Sequence, residues 1–582
     1  DGSASNHTIT ANGNVTQGSF GPFARPDGEW GVSFDGDDYL SVAETGADEF
    51  TFGTGNFTIE GWINNQAVDG SRTIVSTAQG NDFQGIWFGI NGGNYYYIYN
   101  NSGGWSVIVD AGTPVVNAWT HFALVRNGTS NVVYINGTSI GSTTETARDL
   151  TNTNNLLAIG GRATASQYTI STMSNVRVVK GTAVYTGNFT PSTSKLTAIT
   201  NTKLLTCQSN RFVDNSASPL TITPVGNPAV TAFGPFLTSS VYSAGTNGAS
   251  LNTPGAGGDY LSFGNIGLDG HSGDFSIEGW IYPTSYSQYS NTIYGQGGSG
   301  ATNNLLEISL NSSGQPHAFI NQGSVTLQST FVCPLNAWTF VQLKRTSGTL
   351  AIFINGAQSS TVSNTATIGS PNRGFVAAQS YDPSVSTRSF RGFICDVRVS
   401  VVTRSVSLPT APLAVIDSNT KLLLNMADAQ AIDSAAQNNL TLVGNANTST
   451  DQAKFGDTSL HLDGTGDYVN VLPSGRGNIY NYTVEQWLYP TRNYSGSGNF
   501  DRIWSSGTAL NNSVMLHLDN TTAPKIVLRS NDSIIWTSSV SISLNAWTHV
   551  AVSCDANGTR LYIAGTERGT TSTVVNLRTL AF

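Results

Sequence analysis

Three glutamates stand at one repeated position in this chain. Glu60 lies in Phe57-Thr58-Ile59-Glu60-Gly61-Trp62, Glu278 in Phe275-Ser276-Ile277-Glu278-Gly279-Trp280, and Glu485 in Tyr482-Thr483-Val484-Glu485-Gln486-Trp487. A carboxylate on a strand is the residue type that cleaves glycosidic bonds. Retaining hydrolysis, however, needs two carboxylates about 5 Å apart. Residues two apart on a strand share a face, and the neighbours of Glu60 on its face are Thr58 and Trp62. No second acid is supplied, so the pattern argues against an enzyme. The other role for these glutamates is structural, accepting hydrogen bonds from a crossing loop or an arginine.

A second acidic pattern precedes a tyrosine in each repeat. It reads Asp35-Gly36-Asp37-Asp38-Tyr39, then Gly258-Asp259-Tyr260, then Asp463-Gly464-Thr465-Gly466-Asp467-Tyr468. Calcium takes six to eight oxygens from carboxylates and loop carbonyls. Asp35 with Asp38, and Asp463 with Asp467, supply such oxygens; Asp259 lacks the first partner, where Gly255 or Ala256 stands. The alternative is an Asx turn leading into a strand. No bound cofactor is required by either pattern.

Aromatic residues offer a third chemistry. Tyr95, Tyr97 and Tyr99 fall on one face of Tyr95-Tyr96-Tyr97-Ile98-Tyr99, and Trp105 follows closely. Such a platform stacks on sugar rings, or it covers a sheet or packs on a neighbouring chain. It has no counterpart in the other two repeats. Nucleophilic catalysis has no support: His121 and His549 follow a repeated Trp-Thr, and Phe340 takes the same place in the second repeat.

The elements that must position these residues recur with a period of about 210 residues. Asn-Ala-Trp-Thr appears at residues 117–120, 336–339 and 545–548, and Tyr134-Ile135-Asn136-Gly137, Phe353-Ile354-Asn355-Gly356 and Tyr562-Ile563-Ala564-Gly565 follow each. Asn-Gly between two β-rich runs is a type I′ hairpin signal. No sustained 3.6-residue apolar stripe occurs, so the class is all-β. Trp119, Trp338 and Trp547 are expected to serve core or corner packing.

Only 11% of the 582 residues are charged, against about 25% in an average globular chain, while 62 are glycine and 39% hydrophobic. That composition fits short strands joined by polar turns. The net charge of −9 and the lack of a basic run exclude a phosphate-tracking nucleic-acid surface. No stretch approaches 18 apolar residues, so no membrane-spanning helix is expected. Cys207, Cys333, Cys395 and Cys554 hold no CxxC, and buried apolar packing is their expected role.

These landmarks, in fixed order three times, resemble the laminin-G-like, concanavalin A-like jelly-roll superfamily. The resemblance implies three tandem jelly-roll β-sandwiches, over residues 1–198, 199–415 and 416–582, and a calcium at the sandwich rim near Asp35, Asp38, Asp259, Asp463 and Asp467. Lys203-Leu204-Leu205 and Lys421-Leu422-Leu423 mark the junctions, so the first sandwich is expected to lack its leading strand. The third stops before a Val-Arg-Val strand like Val176-Arg177-Val178. The chain is therefore expected to be a window from a longer tandem protein.

A narrower likeness runs through Val176-Arg177-Val178-Val179-Lys180-Gly181-Thr182-Ala183-Val184-Tyr185 and Lys203-Leu204-Leu205-Thr206-Cys207. It is similar to tandem laminin-G-like virion structural or fibre proteins of marine cyanophages. It implies a non-enzymatic structural and adhesive protein at a virion surface or outside the cell. Its partners would be host glycans or cell-surface polysaccharide, other virion subunits, and further copies in a homo-oligomer. The alternatives are a secreted bacterial carbohydrate-binding adhesin and, less favoured, a glycoside hydrolase.

Overall fold

The computed structural model describes residues 3, 7–78, 85–100, 105–144, 149–152, 154–162, 167–236, 243–255, 257–298, 304–321, 326–379, 384, 386–414, 417–426, 438–455, 458–473, 478–492, 501–506, 513–519 and 521–578. The expected boundary between residues 415 and 416 lies outside them. The described helical residues amount to single turns at Ala244–Asn247 and Ser386–Arg388. The rest of the regular structure is antiparallel sheet, as the strand-and-turn pattern requires: an all-β chain of three tandem concanavalin A-like sandwiches. Two compact units are formed. One holds the first two sandwiches and the other most of the third.

In the first sandwich, one sheet runs Thr138–Thr144, Ser130–Ile135, Trp119–Asn127, Phe57–Asn65, Ile170–Lys180, Gly31–Asp35, Ala229–Thr231. The facing sheet runs Ile222–Val225, Tyr39–Ala43, Leu156–Ile159, Ser71–Ser76, Gly85–Asn91, Asn94–Asn100, Trp105–Ala111. Leu40, Val42, Ile59, Phe88 and Phe122 fill the space between. Each strand gives one alternate set of side chains to this core. The Asn-Gly hairpins form as expected: Asn136 and Gly137 sit at φ 49° and 75°, and Asn355 and Gly356 at 50° and 83°. At Ala564 the same turn forces φ 50° on a residue with a Cβ.

Two expectations are corrected. The Lys203-Leu204-Leu205 strand does not lead the second sandwich. Thr202–Thr206 pairs with Ile170–Lys180, so it closes the first, and Thr420–Leu424 likewise pairs with Gly392–Ser400. The first sandwich therefore does not lack that strand.

The strands that do lead each repeat are exchanged between the first two sandwiches. Thr10–Asn12 and Thr16–Gly18 pair with Tyr260–Gly264 and Ser250–Thr253 of the second sandwich. In return, Ile222–Val225 and Ala229–Thr231 pair with Tyr39–Ala43 and Gly31–Asp35 of the first. The loops that follow carry aromatic anchors. Phe23 lies edge-on to Trp280, and Phe236 edge-on to Trp62. Phe20 is surrounded by Tyr282, Trp338 and Phe393, with centroids 5.1–5.5 Å away. The two sandwiches thus share one apolar cluster.

The third repeat keeps its own leading strands. Asn438–Val443 pairs with Tyr468–Pro473, and Asn447–Ser449 with Ser459–His461. Phe455 meets Trp487 of the same repeat, edge-on at 5.7 Å. Its sheets are Tyr482–Leu488, Thr548–Asp555, Gly558–Ile563, Thr566–Thr571 and, separately, Asp501–Ser506, Val514–Leu518, Lys525–Ser530, Ser533–Ser541. All four cysteines are free and buried.

Candidate functional site

The alternation in Asn94–Asn100 sets which rings meet solvent. The pairing of this strand with Gly85–Asn91 places Tyr95, Tyr97 and Tyr99 beside Ile90, Phe88 and Ile86. All three tyrosines are core residues, 1%, 0% and 2% exposed. They do not form the expected sugar platform. A side-chain period of two leaves Tyr96 and Ile98 on the outer face.

That outer face carries its own aromatic cluster, in which Trp87 and Arg162 are buried and Tyr96 and Trp105 half-buried. Trp87 hydrogen-bonds through Nε1 to Thr73 at 2.8 Å, and its ring meets Tyr96 at 6.1 Å. Gly89 lets the indole lie against the sheet, because any Cβ there would fall 2.8 Å from the ring. Val107, 53% exposed, pairs with Ile98. Trp105 is half-buried, with the Arg162 guanidinium 5.2 Å from its ring. Tyr39 stacks on Tyr168 at 6.2 Å, and Arg72 donates to the Tyr168 carbonyl at 3.3 Å. Of the four aromatic residues read from the sequence, only Trp105 lies on this face. Trp87, Tyr96 and Arg162 were missed. Planar rings offer stacking to the C–H faces of pyranoses, and the arginines offer donors to hydroxyls or acids.

In the first two repeats the glutamates are clamped rather than poised, whereas the Glu485 side chain is 64% exposed with His549 at 3.3 Å. Glu60 Oε1 accepts from Arg177 Nε at 3.0 Å and Nη2 at 2.6 Å; Oε2 accepts from the Tyr185 hydroxyl at 2.7 Å and lies 3.3 Å from His121 Nε2. Burial pushes this carboxyl up, but the bonds from His121, Arg177 and Tyr185 outweigh it and hold it below its usual range. Glu278 accepts from Arg398 and from Gln342 at 2.9 Å. There burial prevails over Arg398 and the carboxyl sits above its usual range. Both glutamates tie the strand holding Val-Arg-Val to the sheet centre, the structural role anticipated for them.

The rim aspartates clasp the turns of the leading strands, exchanged ones in the first two sandwiches and its own in the third repeat. Asp259 Oδ1 accepts from Asn14 N at 2.7 Å, and Asp467 Oδ1 from Asn445 N at 2.8 Å. Asn227 donates to Asp35 at 3.2 Å. The glycine before each asparagine (Gly13, Gly226 and Gly444, φ 67–78°) packs directly against Asp259, Asp38 and Asp467. Asp463 is taken up by Asn445 and the Thr465 N–H at 2.7 Å each, so the third repeat has its acids satisfied without a cation. The first repeat differs. Carboxylate oxygens of Asp35, Asp37 and Asp38 lie within 4.8 Å of one another. Asp38 is buried, with Oδ2 lacking a hydrogen-bond partner. Burial, then the Asp35 charge, push Asp38 up to about 7. These residues fit a hard divalent cation; Asp259, preceded by Gly257 and Gly258 with no neighbouring acid, does not.

A laminin-G family model described as the concanavalin A-like lectin/glucanases superfamily matches residues 34–183, 255–407 and 463–581. A comparison with curated proteins found no matching relative. Among solved structures, domains LG4-5 of the mouse laminin alpha1 chain are similar, with 12% identity, 67% of this chain and 93% of that chain covered, and a TM-score of 0.23. The LG1-3 region of the laminin alpha2 chain shows 9% identity over 94% of this chain and 91% of that one, with a TM-score of 0.25. A Caenorhabditis elegans galectin shows 16% identity over 25% and 94%, with a TM-score of 0.18. At these scores the structural likenesses add nothing to the family match. No helix among the described residues is long and apolar enough to cross a membrane.

Proposed function

Because this chain belongs to the concanavalin A-like lectin/glucanases superfamily, we propose that it is a non-enzymatic adhesive protein that binds glycans. The observation that carries this is the aromatic outer face of the first sandwich, where half-buried Tyr96 and Trp105 are backed by the buried Trp87 and Arg162. Sugar stacking on the half-buried Tyr96 and Trp105 rings needs no acid pair, and the buried glutamates are held by arginine and neighbouring polar groups. Weak contacts of this kind gain about 10²–10⁴-fold when several copies are tethered together. Asp35, Asp37 and Asp38 would hold a calcium ion, which would steady the turn beside that sheet.

The setting we propose is the exposed surface of a phage particle, on the likeness carried by residues 176–212. A secreted bacterial adhesin uses the same chemistry. The test is a glycan array probed with the labelled chain, with the same glycans assayed for released products. Binding without product, lost on Trp105→Ala, is the expected result. Product release abolished by Glu60→Gln would make the chain a hydrolase instead.

A further inference from the structure

A polar cluster is buried on the outer face of the second sandwich. Glu307 stands there on Asn304–Leu310, between the core residues Leu306 and Ile308, and is 0% exposed. Its Oε1 accepts from the hydroxyls of Ser309 at 2.9 Å, Thr292 at 3.1 Å and Ser290 at 3.4 Å. Its Oε2 faces the Gln379 side-chain nitrogen at 3.4 Å. The other end of that amide is held as well: Gln379 Oε1 accepts from Arg388 Nη1 at 2.7 Å. Thr292 and Gln379 are themselves buried. Burial pushes the Glu307 carboxyl above its usual range, against the bonds from Ser309, Thr292, Gln379 and Ser290. In the first sandwich the strand registers put Thr73, Trp87 and Arg162 at the places of Thr292, Glu307 and Gln379. The constellation is therefore not demanded by the fold.

We propose that Thr292 and Gln379 join in an ester cross-link made by the folded chain itself, with Glu307 as the proton shuttle. Thr292 Oγ1 attacks Cδ of Gln379, and its proton passes to Glu307. The former carbonyl oxygen takes the negative charge of the tetrahedral intermediate, where the Arg388 guanidinium stabilises it. The Cδ–Nε2 bond then breaks, Glu307 returns the proton to Nε2, and the nitrogen leaves as ammonia. One C–O bond replaces one C–N bond, with no oxidant and no cofactor. A single carboxyl serves both transfers because the hydroxyl lies on one of its oxygens and the amide nitrogen on the other. Fixed geometry supplies the effective concentration that so unreactive an amide requires, and burial keeps water from competing as the nucleophile. Thr292 is the hydroxyl best placed for attack. Ala377 N donates to the Ile293 carbonyl at 3.2 Å and Ser389 bridges Thr292, so the segment holding Gln379 runs alongside it. Ser309 is engaged by His317 Nε2 at 3.0 Å as well as by Glu307.

Mass spectrometry of the full chain, denatured after prolonged standing at neutral pH, tests this. The intact chain should be lighter than its sequence by one ammonia. A peptic digest should contain a branched peptide joining Thr292 to Gln379, split by hydroxylamine. Ammonia lost at an asparagine leaves no branch, so the branched peptide is the deciding signal. Thr292→Val and Glu307→Gln should each leave the two peptides separate. Recovery of residues 292 and 379 only in unlinked peptides of the unmutated chain would overturn the proposal, whether or not the variants fold. A link from Gln379 to Ser290 or Ser309, or one that survives Glu307→Gln, would overturn the roles given to Thr292 and Glu307.

Discussion

Phe23 and Trp280 meet edge-on, with ring centroids 5.7 Å apart and planes at 87°, although they belong to different repeats. Phe236 and Trp62 make the reciprocal contact at 5.8 Å and 78°. Each arm therefore completes the neighbouring sandwich rather than its own. Phe236→Ala should cost about 3–4 kcal/mol, the range for emptying a buried aromatic site. The loss should appear as one shared calorimetric transition for the first two sandwiches, shifted downward. Two separate transitions, with only one displaced, would contradict the shared core.

Asp396 is buried, and its Oδ2 accepts from Leu413 N at 3.1 Å. Asn175 holds the matching place in the first repeat, where its amide also donates to the Gly28 carbonyl at 2.8 Å. Burial pushes Asp396 up to about 7. Between the ordinary aspartate value of 3.8 and that point, the folded state binds more protons than the unfolded state. Its contribution is thus complete below about pH 4 and is lost as pH rises through 7. Asp396→Asn should add stability on the order of a few kcal/mol at pH 8 and close to none at pH 4. Denaturant titrations at the two pH values measure the difference.

Tyr96 and Tyr97 are neighbours in sequence with opposite tasks. Trp105→Ala or Tyr96→Ala should weaken glycan binding about tenfold, on a stacking contribution of roughly 1 kcal/mol or more, with little change in melting temperature. Tyr97→Ala should instead cost about 3–5 kcal/mol of stability. Array intensity and thermal melts, measured together, separate the two faces.

Millimolar calcium should stabilise the unit that contains Asp35, Asp37 and Asp38 by about 0.4 kcal/mol, as mass action gives for a site whose dissociation constant equals that concentration. Asp38→Asn should remove that response. Asp467→Asn should leave it unchanged, because the Asp467 oxygens already accept from the Asn445 and Asp463 N–H groups at 2.8 Å each. A melting curve with and without chelator checks all three proteins.

Glu60→Gln breaks a buried ion pair and leaves Arg177 without its carboxylate. A loss of about 3–5 kcal/mol is expected. Glycan binding per folded molecule should persist, which distinguishes a clamp from a working acid.

The repeats themselves were plain in the sequence, because the same turn and core residues must recur wherever the same sandwich closes. Asn136-Gly137 announced its hairpin through the positive φ that both residues tolerate. The missing second acid beside Glu60 was equally visible, since strand alternation is fixed by covalent geometry. The phase of Tyr95-Tyr96-Tyr97-Ile98-Tyr99 was not visible. Every residue in that run is apolar enough for either face, and only its pairing with Ile86, Phe88 and Ile90 decides which set is buried. The Asp38, Asp259 and Asp467 positions were found, but not their work, because the Gly-Asn turns that Asp38 and Asp259 hold come from the neighbouring repeat.

What the sequence alone determined was the unit: an all-β repeat with fixed turns and a recurring glutamate that has no second acid beside it on its strand face. Local geometry and alternation are enough for that. The tertiary structure decided which repeat owns which strand. Thr10–Asn12 and Ile222–Val225 are equivalent in their own repeats, and nothing local distinguishes closing on oneself from closing on a neighbour. That choice rests on long-range packing, with Phe23 on Trp280 and Phe236 on Trp62, which no window of sequence contains.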